Sequence, residues 1–319
     1  MTVLLCRLRI FAANAHYYFW GGRNSTISTF KNTFKIPRCL KVLLAVFLMP
    51  YAFVRALHLI NKPLVIRQIS LAITTKCTLN CIKCTALVPY YDGCRKKPYS
   101  IPAMEIIASF DALFDALDCV FEMSIVGGEP LLHKELGILL EHFAKQDKLK
   151  SFTVITNGTI IPDDSLVHAF KHPKCLVFVS DYGIHSKNIK NLIEWLRKHE
   201  INYSVKKDYS WNDIGDLKKK NRSYKELRKL FVSCRAMKCL SFIGSKLHHC
   251  SISSYGMDLG LVPDCPTDYV DVALGTTAEL RQRITKLRLR TYTVTACDYC
   301  DQSFAVNAKS VTPGEQVPA

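Results

Sequence analysis

Three cysteines, Cys77, Cys81 and Cys84, stand at a C-x3-C-x2-C spacing directly after a β-like run over residues 69–74. Three thiolates on one short loop can hold three irons of a [4Fe-4S] cube and leave the fourth iron without a protein ligand. An open iron can be chelated by a small molecule, whereas four thiolates would close the shell and favour electron transfer. Zinc is the competing reading, although it usually takes four ligands in paired knuckles, and this spacing leaves the third cysteine unpaired.

Further chemistry-bearing residues follow in chain order. Gly127-Gly128-Glu129-Pro130 succeeds an apolar run, Thr156-Asn157-Gly158 succeeds another, and Ser180-Asp181-Tyr182-Gly183 ends a third. Two successive glycines let backbone approach a ligand closely, and Glu129 can accept from an ammonium. Without the cysteines the same stretch would read as a simple strand-to-helix turn. The hydroxyl, amide and carboxylate groups of Thr156, Asn157, Ser180 and Asp181 can hydrogen-bond a ribose or a carboxylate. For Asp181 and Tyr182 a structural turn is the equal alternative.

Three motifs in this order, each at a strand end, resemble the radical S-adenosylmethionine (radical SAM) superfamily over roughly residues 69–300. The resemblance implies a catalytic [4Fe-4S] cluster on Cys77, Cys81 and Cys84, with S-adenosyl-L-methionine chelated to the open iron. An electron from the cluster then cleaves the cofactor to a 5′-deoxyadenosyl radical, which abstracts hydrogen from a substrate C–H bond. It implies that Gly127, Gly128, Glu129 and Pro130 hold the methionyl amino group, that the strand-end residues Thr156, Asn157, Ser180 and Asp181 contact the cofactor, and that a reductase such as flavodoxin or ferredoxin supplies the electron. One departure is Lys83, which occupies the position before the third cysteine where many members carry an aromatic residue near the adenine.

A second thiol group comprises Cys234, Cys239, Cys250, Cys297 and Cys300. The C-x4-C pair, a hairpin ending at Cys250 and a distant C-x2-C pair resemble the auxiliary-cluster segment called SPASM or Twitch, which implies a second [4Fe-4S] cluster. Five cysteines exceed the four that one cluster needs, and a structural zinc suits C-x2-C equally well. Cys6, Cys39, Cys94, Cys119, Cys175 and Cys265 have no such spacing and read as buried or incidental thiols. His248 and His249, on the hairpin, read as polar surface.

Positioning these groups requires strand ends that share a face. The sequence alternates strand-like runs (69–74, 122–126, 152–156, 176–180, 202–206) with helical patterns (102–117, 134–145, 162–170, 187–199), which argues for a parallel sheet with helices outside it. The fold class expected is α/β, a partial (β/α)6 TIM-like barrel with a small C-terminal cysteine-rich α+β domain; the barrel itself is implied by the resemblance. After residue 207 the pattern changes to helical stretches at 224–231 and 277–290 and a hairpin over 240–249 turning at Gly244-Ser245. The organisation expected is an extension over 1–66, a barrel over 67–208, an auxiliary domain over 209–305 and a poorly packed tail over 306–319.

Composition bounds the remaining choices. With 319 residues, 49% apolar and 22% charged, the chain is globular. Fourteen cysteines clustered at metal-like spacings point to a reducing cytosol rather than a disulfide framework. The formal charge of +16 gathers at the amino terminus, where no Asp or Glu precedes Asp92. No RNA-binding aromatic motif or helix-turn-helix signature is evident, so no nucleic-acid partner is expected. The apolar run over 42–49, broken by Pro50, is short of a bilayer span; it suits either a helix on the inner membrane surface or one packed against the core. The whole-chain pattern, including residues 211–215, is similar to radical SAM proteins that accompany polysaccharide-assembly genes, which implies a sugar or nucleotide-sugar substrate. A peptide or protein substrate is the alternative within the class, and a non-catalytic iron-sulfur or zinc binding protein the alternative outside it.

Overall fold

The computed structural model describes residues 63–318 except 92, 94, 208–209, 235–238, 291 and 302–308. The basic amino-terminal extension with its membrane-surface reading lies outside the described residues, as do Cys6, Cys39 and Cys94. Among the described residues no helix is long and apolar enough to cross a membrane.

Isoleucine, leucine and valine dominate the first strand, β1 (Val65–Thr74), and a β-branched run buried on its outward face cannot stay in water. Helix α1 (Ala103–Ala116) follows, then β2 (Cys119–Gly127), α2 (Leu136–Lys145), β3 (Leu149–Thr156), the short α3 (Val167–Phe170), β4 (Cys175–Ser180), α4 (Ile189–Lys198) and β5 (Tyr203–Lys206). Every expected strand and helix in this half has its counterpart. Strands β1 to β4 start one to four residues earlier than expected, since their first residues, such as Val65 and Cys119, pair with each other at the bottom of the sheet, and β5 starts one residue later.

The carboxyl-terminal half contributes β6 (Trp211–Asn212), α5 (Tyr224–Ser233), β7 (Leu240–Ile243), β8 (Lys246–His248), α6 (Ser251–Asp258), β9 (Tyr269–Asp271), α7 (Thr277–Arg288) and β10 (Ser310–Val311). Capping boxes start α5 at Ser223 and Glu226 and α7 at Thr276 and Glu279. The main sheet has eight strands in the order β5-β4-β3-β2-β1-β7-β8-β9 and does not close. Strands β5 to β1 and β7 run parallel, and β8 pairs antiparallel with both β7 and β9.

This order changes the expected architecture in one respect. The sixth parallel strand is β7, from the cysteine-rich segment, and it flanks β1 rather than following β5. The change of pattern after residue 207 is therefore no break in packing, and Leu64–Ala319 forms one compact unit.

Consecutive parallel strands joined by right-handed crossovers put their helices on one face. That face of the sheet is apolar: Ile69, Leu71, Met123, Ile125, Phe152 and Val154 are buried there. On it the Phe110 ring of α1 meets Phe242 of β7 at 4.7 Å and Phe143 of α2 at 5.4 Å, both edge-on. The opposite face carries Gln68, Ser70, Glu122, Ser124, Ser151 and Thr153, aligned across β1, β2 and β3. Gln68, Ser70, Glu122 and Ser151 on it are only half-buried. Helix α6 covers this face beside β7, where Ser241 Oγ and Ser254 Oγ lie 2.6 Å apart.

Candidate active site

The carboxyl ends of β1 to β4 meet along one edge of the sheet, and the cysteine loop leaves β1 there. Backbone bonds tie it to the Gly127-Gly128 turn: Gly128 N donates to Thr74 O and Glu129 N to Lys76 O, each at 2.8 Å. The two glycines are required by this contact. A Cβ on Gly127, whose φ is +134°, would stand 2.0 Å from Thr74 O, and one on Gly128 2.0 Å from Lys76 O and 3.0 Å from Cys77 Cβ. Sequence reasoning had reserved the space for a ligand; the neighbour that fills it is the backbone of the cysteine loop.

Glu129 is fully buried. Its Oε2 accepts from Asn157 N at 2.8 Å and its Oε1 from Leu131 N at 3.1 Å, so the carboxyl group staples the end of β2 to that of β3. Burial pushes its pKa up to about 7 against these hydrogen bonds. Asn157 in turn donates from Nδ2 to Thr78 Oγ1 at 3.0 Å and to Cys77 Sγ at 3.6 Å. Thr159, which sequence reasoning passed over, bonds Thr78 Oγ1 at 2.5 Å. Gly127, Gly128, Glu129 and Asn157 thus meet the cysteine loop between Thr74 and Thr78.

Ser180 is buried at the end of β4, and the link from it to Asn157 is a residue not anticipated: Ser186 Oγ donates to Asn157 O at 2.6 Å and lies 3.3 Å from Ser180 O. Asp181 Oδ1 accepts from Gly183 N at 2.8 Å, the hydrogen bond of a turn. Lys83 also finds a role. Its Nζ lies 2.8 Å from Asp213 Oδ1 and donates to Gly215 O at 3.0 Å, anchoring the segment after β6 to the cysteine loop.

The tail is mostly exposed over its described residues, yet it is tied down at two points. Strand β10 pairs with β6, and beyond it Gln316 Nε2 donates to Cys81 Sγ at 3.2 Å. No local pattern of residues 309–318 signals this, because a two-residue strand and one amide have no periodicity to read.

Unmetallated, the three thiols resist ionisation. Burial pushes Cys77 up to about 12 and Cys81 up to about 11, and it raises Cys84 too; Cys81 and Cys84 add repulsion at Cys77. A cationic cluster would offset both effects. Hydrogen-bond donors already face all three sulfurs, from Leu79 N at 3.5 Å and Asn157 on Cys77, from Gln316 on Cys81 and from the backbone of Ala86, Leu87 and Val88 on Cys84. The donor set fits a group that leaves negative charge on sulfur. Among the described residues no three His, Cys, Asp or Glu side chains are grouped to hold a single metal ion; a cube places each thiolate on its own iron.

The second thiol group divides. Cys250, at the N-cap of α6, lies among Cys297, Cys300 and Cys234, whose charges add to burial in holding its pKa well above the ordinary value. Cys239 Sγ lies 3.1 Å from Ser70 Oγ on β1, with Glu122 near it. Arg222 donates from Nη1 to Cys297 O at 3.0 Å and to Cys300 O at 3.1 Å, which sets the C-x2-C loop. A buried ion pair, Arg290 to Asp268 at 2.7 Å, fixes its entry, since Asp268 Oδ2 also accepts from Thr295 N at 2.6 Å. Cys119 and Cys175 are core thiols. His248 and His249 are buried rather than surface residues: His248 meets Ser253 of α6, and His249 meets the Phe231 ring of α5.

Residues 71–180, the stretch from β1 to the end of β4, match the Radical SAM superfamily. This part of the chain is a radical SAM domain. That family uses a [4Fe-4S] cluster and S-adenosylmethionine. A curated relative, GTP 3′,8-cyclase of Aquifex aeolicus (strain VF5), is 29% identical over 104 residues. The match covers 33% of this chain and 31% of the relative, so this chain spans about a third of its length. Among solved structures, Streptococcus suis SuiB is similar at 18% identity and a TM-score of 0.34, over 52% of this chain and 36% of SuiB. BtrN in complex with AdoMet and 2-DOIA is similar at 12% identity and a TM-score of 0.46, over 77% of this chain and 98% of BtrN.

Proposed function

We propose that the protein is a radical SAM enzyme that abstracts hydrogen from a hydroxyl-rich small molecule, a sugar or nucleotide-sugar, and carries an auxiliary iron-sulfur cluster on Cys234, Cys250, Cys297 and Cys300. The observation that carries the first part is the joining of the cysteine loop to the ends of β2 and β3 through Gly128, Glu129 and Asn157. When bound, the catalytic cluster and S-adenosylmethionine supply an organic radical capable of taking hydrogen from an unactivated C–H bond.

The chain's own residues prepare that reaction by binding and exclusion. Cys77, Cys81 and Cys84 would hold three irons, and the strand-end residues from Gly127 to Pro130, with Ser180 and Asp181, form the surface on which the cofactor is held. Glu129 acts by posture: Oε2 holds the backbone N–H of Asn157, whose side chain faces Cys77, and Oε1 is taken by Leu131 N. Tyr182 and Trp211, edge to face at 5.6 Å, screen the β4 side of the mouth from water.

Support for a polar substrate comes from the whole-chain pattern, residues 211–215 included, which is similar to radical SAM proteins that accompany polysaccharide-assembly genes. The test is anaerobic reconstitution with iron and sulfide, followed by assay of 5′-deoxyadenosine with nucleotide-sugars in one arm and peptides in the other. Formation stimulated by a nucleotide-sugar, with deuterium transferred from the labelled substrate, supports the proposal. Stimulation by peptides alone would replace its substrate class.

A further inference from the structure

The chain's last described residues form a strap across the mouth of the site. Strand β10 is paired to β6, Val311 opposite Trp211. The strap then turns at Gly314, whose φ is +75° and whose missing Cβ would stand 2.7 Å from Tyr182 Cβ, so it lies directly on the loop after β4. From there it runs antiparallel to the cysteine loop: Ile82 N donates to Glu315 O and Val317 N to Asn80 O, both at 2.8 Å. Two backbone bonds flanking Gln316 leave its side chain little freedom.

The amide of Gln316 has one consistent orientation. Oε1 accepts from Asn80 N at 2.7 Å, while Nε2 faces Cys81 Sγ at 3.2 Å and also reaches Gly314 O. Turning the amide over would set N–H against N–H and oxygen against both carbonyl and sulfur, so the network fixes the nitrogen on the sulfur. Cys81 is only 6% exposed, which removes water as a competing donor. An N–H aimed at a buried sulfur favours negative charge on it, and hydrogen bonds to cluster sulfurs are among the factors that set reduction potential.

We infer that the carboxyl-terminal strap is part of the seat of the catalytic cluster, with Gln316 a positioning residue whose amide donates to the Cys81 thiolate and holds the cluster's reduction potential up. This rests on the radical SAM reading of the cysteine loop. Gln316 has no contact with substrate in this role; it acts through Cys81. The added electron raises the negative charge on iron-sulfur and thiolate alike, so a donor at Cys81 favours the reduced form.

The test uses full-length protein reconstituted anaerobically, as wild type, Gln316→Glu and Gln316→Met. Glu keeps the volume and the acceptor for Asn80 while replacing the donor by a second acceptor. Met removes the donor without adding charge and covers the case in which a charge disturbs the strap. The readout is a redox titration followed by the electron-spin signal that S-adenosylmethionine perturbs, which singles out the catalytic cluster. The expected result is a roughly tenfold weaker reduction equilibrium in Gln316→Met, about 59 mV for one electron, and a larger loss in Gln316→Glu. A variant that melts like wild type before reconstitution yet no longer retains that cluster also supports the seat. Variants loaded like wild type at an unchanged potential overturn the inference. A wild-type protein with no signal that responds to S-adenosylmethionine would instead overturn the radical SAM reading beneath it.

Discussion

Lys83 and Asp213 form an ion pair at 2.8 Å between the cysteine loop and the segment after β6, and both are largely buried. The Lys83 hydrogen bond is the main cause that lowers the Asp213 pKa, ahead of the opposing cost of burial. An aromatic residue at position 83 could not make this bond. Lys83→Met should therefore lower stability by about 1–2 kcal/mol, and Asp213→Asn by a similar amount. Because the pair is coupled, the double variant should lose less than the sum, measured as a double-mutant cycle on the melting curves. Strict additivity would show that the pair contributes nothing.

Gly128→Ala places a methyl group 2.0 Å from Lys76 O, a backbone atom that cannot swing aside. Overpacking of this kind costs on the order of 1–3 kcal/mol, and here the strain falls on the loop bearing Cys77. Iron retained after reconstitution should drop well below wild type while the far-ultraviolet circular dichroism stays the same. Full iron loading in Gly128→Ala would show that the loop can yield without disturbing its thiols.

How much of this could be read beforehand depended on whether the signal was local. The βα alternation was legible because β1 and β3 are apolar, β-rich runs and α1 repeats Ile106, Phe110 and Leu113 along one face. Helix α6 was missed: Ser251-Ile-Ser-Ser-Tyr-Gly256 has weak helix propensity and is held by tertiary bonds from Ser253 to His248 and Ser254 to Ser241. Missing α6 also made His248 look exposed. Cys239 has Ser70 on β1 as a neighbour, a relation that no spacing encodes.

Cys239 gives the auxiliary site an internal control. In a Cys77/Cys81/Cys84 triple alanine variant, anaerobic reconstitution should leave about four irons on the remaining group. Adding Cys239→Ala should leave that number unchanged, and adding Cys250→Ala should abolish it, both read by iron and sulfide analysis. One tightly bound zinc with no sulfide would make the site structural. Loss of iron with Cys239→Ala would return that residue to the ligand set.

Burial holds His248 down to about 3, with Lys246 adding to the effect, and holds His249 down to about 4, with Arg290 adding to it, against an ordinary value of 6.5. Below about pH 6.5 the unfolded chain takes up protons that both rings refuse in the fold. Stability is therefore fully present above that pH and is lost progressively toward pH 3, at up to about 1.4 kcal/mol per pH unit for each ring. His248→Gln should flatten the fall of the apparent melting temperature between pH 6.5 and 4. An unchanged slope would mean that other groups govern acid unfolding.

Tyr255 poses the last test, because its hydroxyl is buried without a hydrogen-bond partner and Cys84, Tyr99 and Asp258 are the charges near it. Asp258 already accepts from Tyr91 at 2.8 Å, Tyr99 at 2.9 Å and Lys96 at 2.7 Å, and the Cys84 sulfur already faces the backbone of Ala86, Leu87 and Val88; ionised on a cluster, that sulfur gains capacity for one more donor. An unsatisfied buried hydroxyl costs about 1–3 kcal/mol, and such groups call for an explanation in bound ligand or function. Tyr255→Phe deletes only the oxygen, so the sign of its effect should depend on the cluster. Before reconstitution the variant should melt at or above the wild-type temperature, since the orphaned group is gone. After reconstitution, when a Cys84 thiolate accepts a hydrogen bond from the hydroxyl, the variant should melt below wild type and lose iron faster to a chelator. The same sign in both states would sever Tyr255 from the cluster and make its hydroxyl an unexplained cost of the fold.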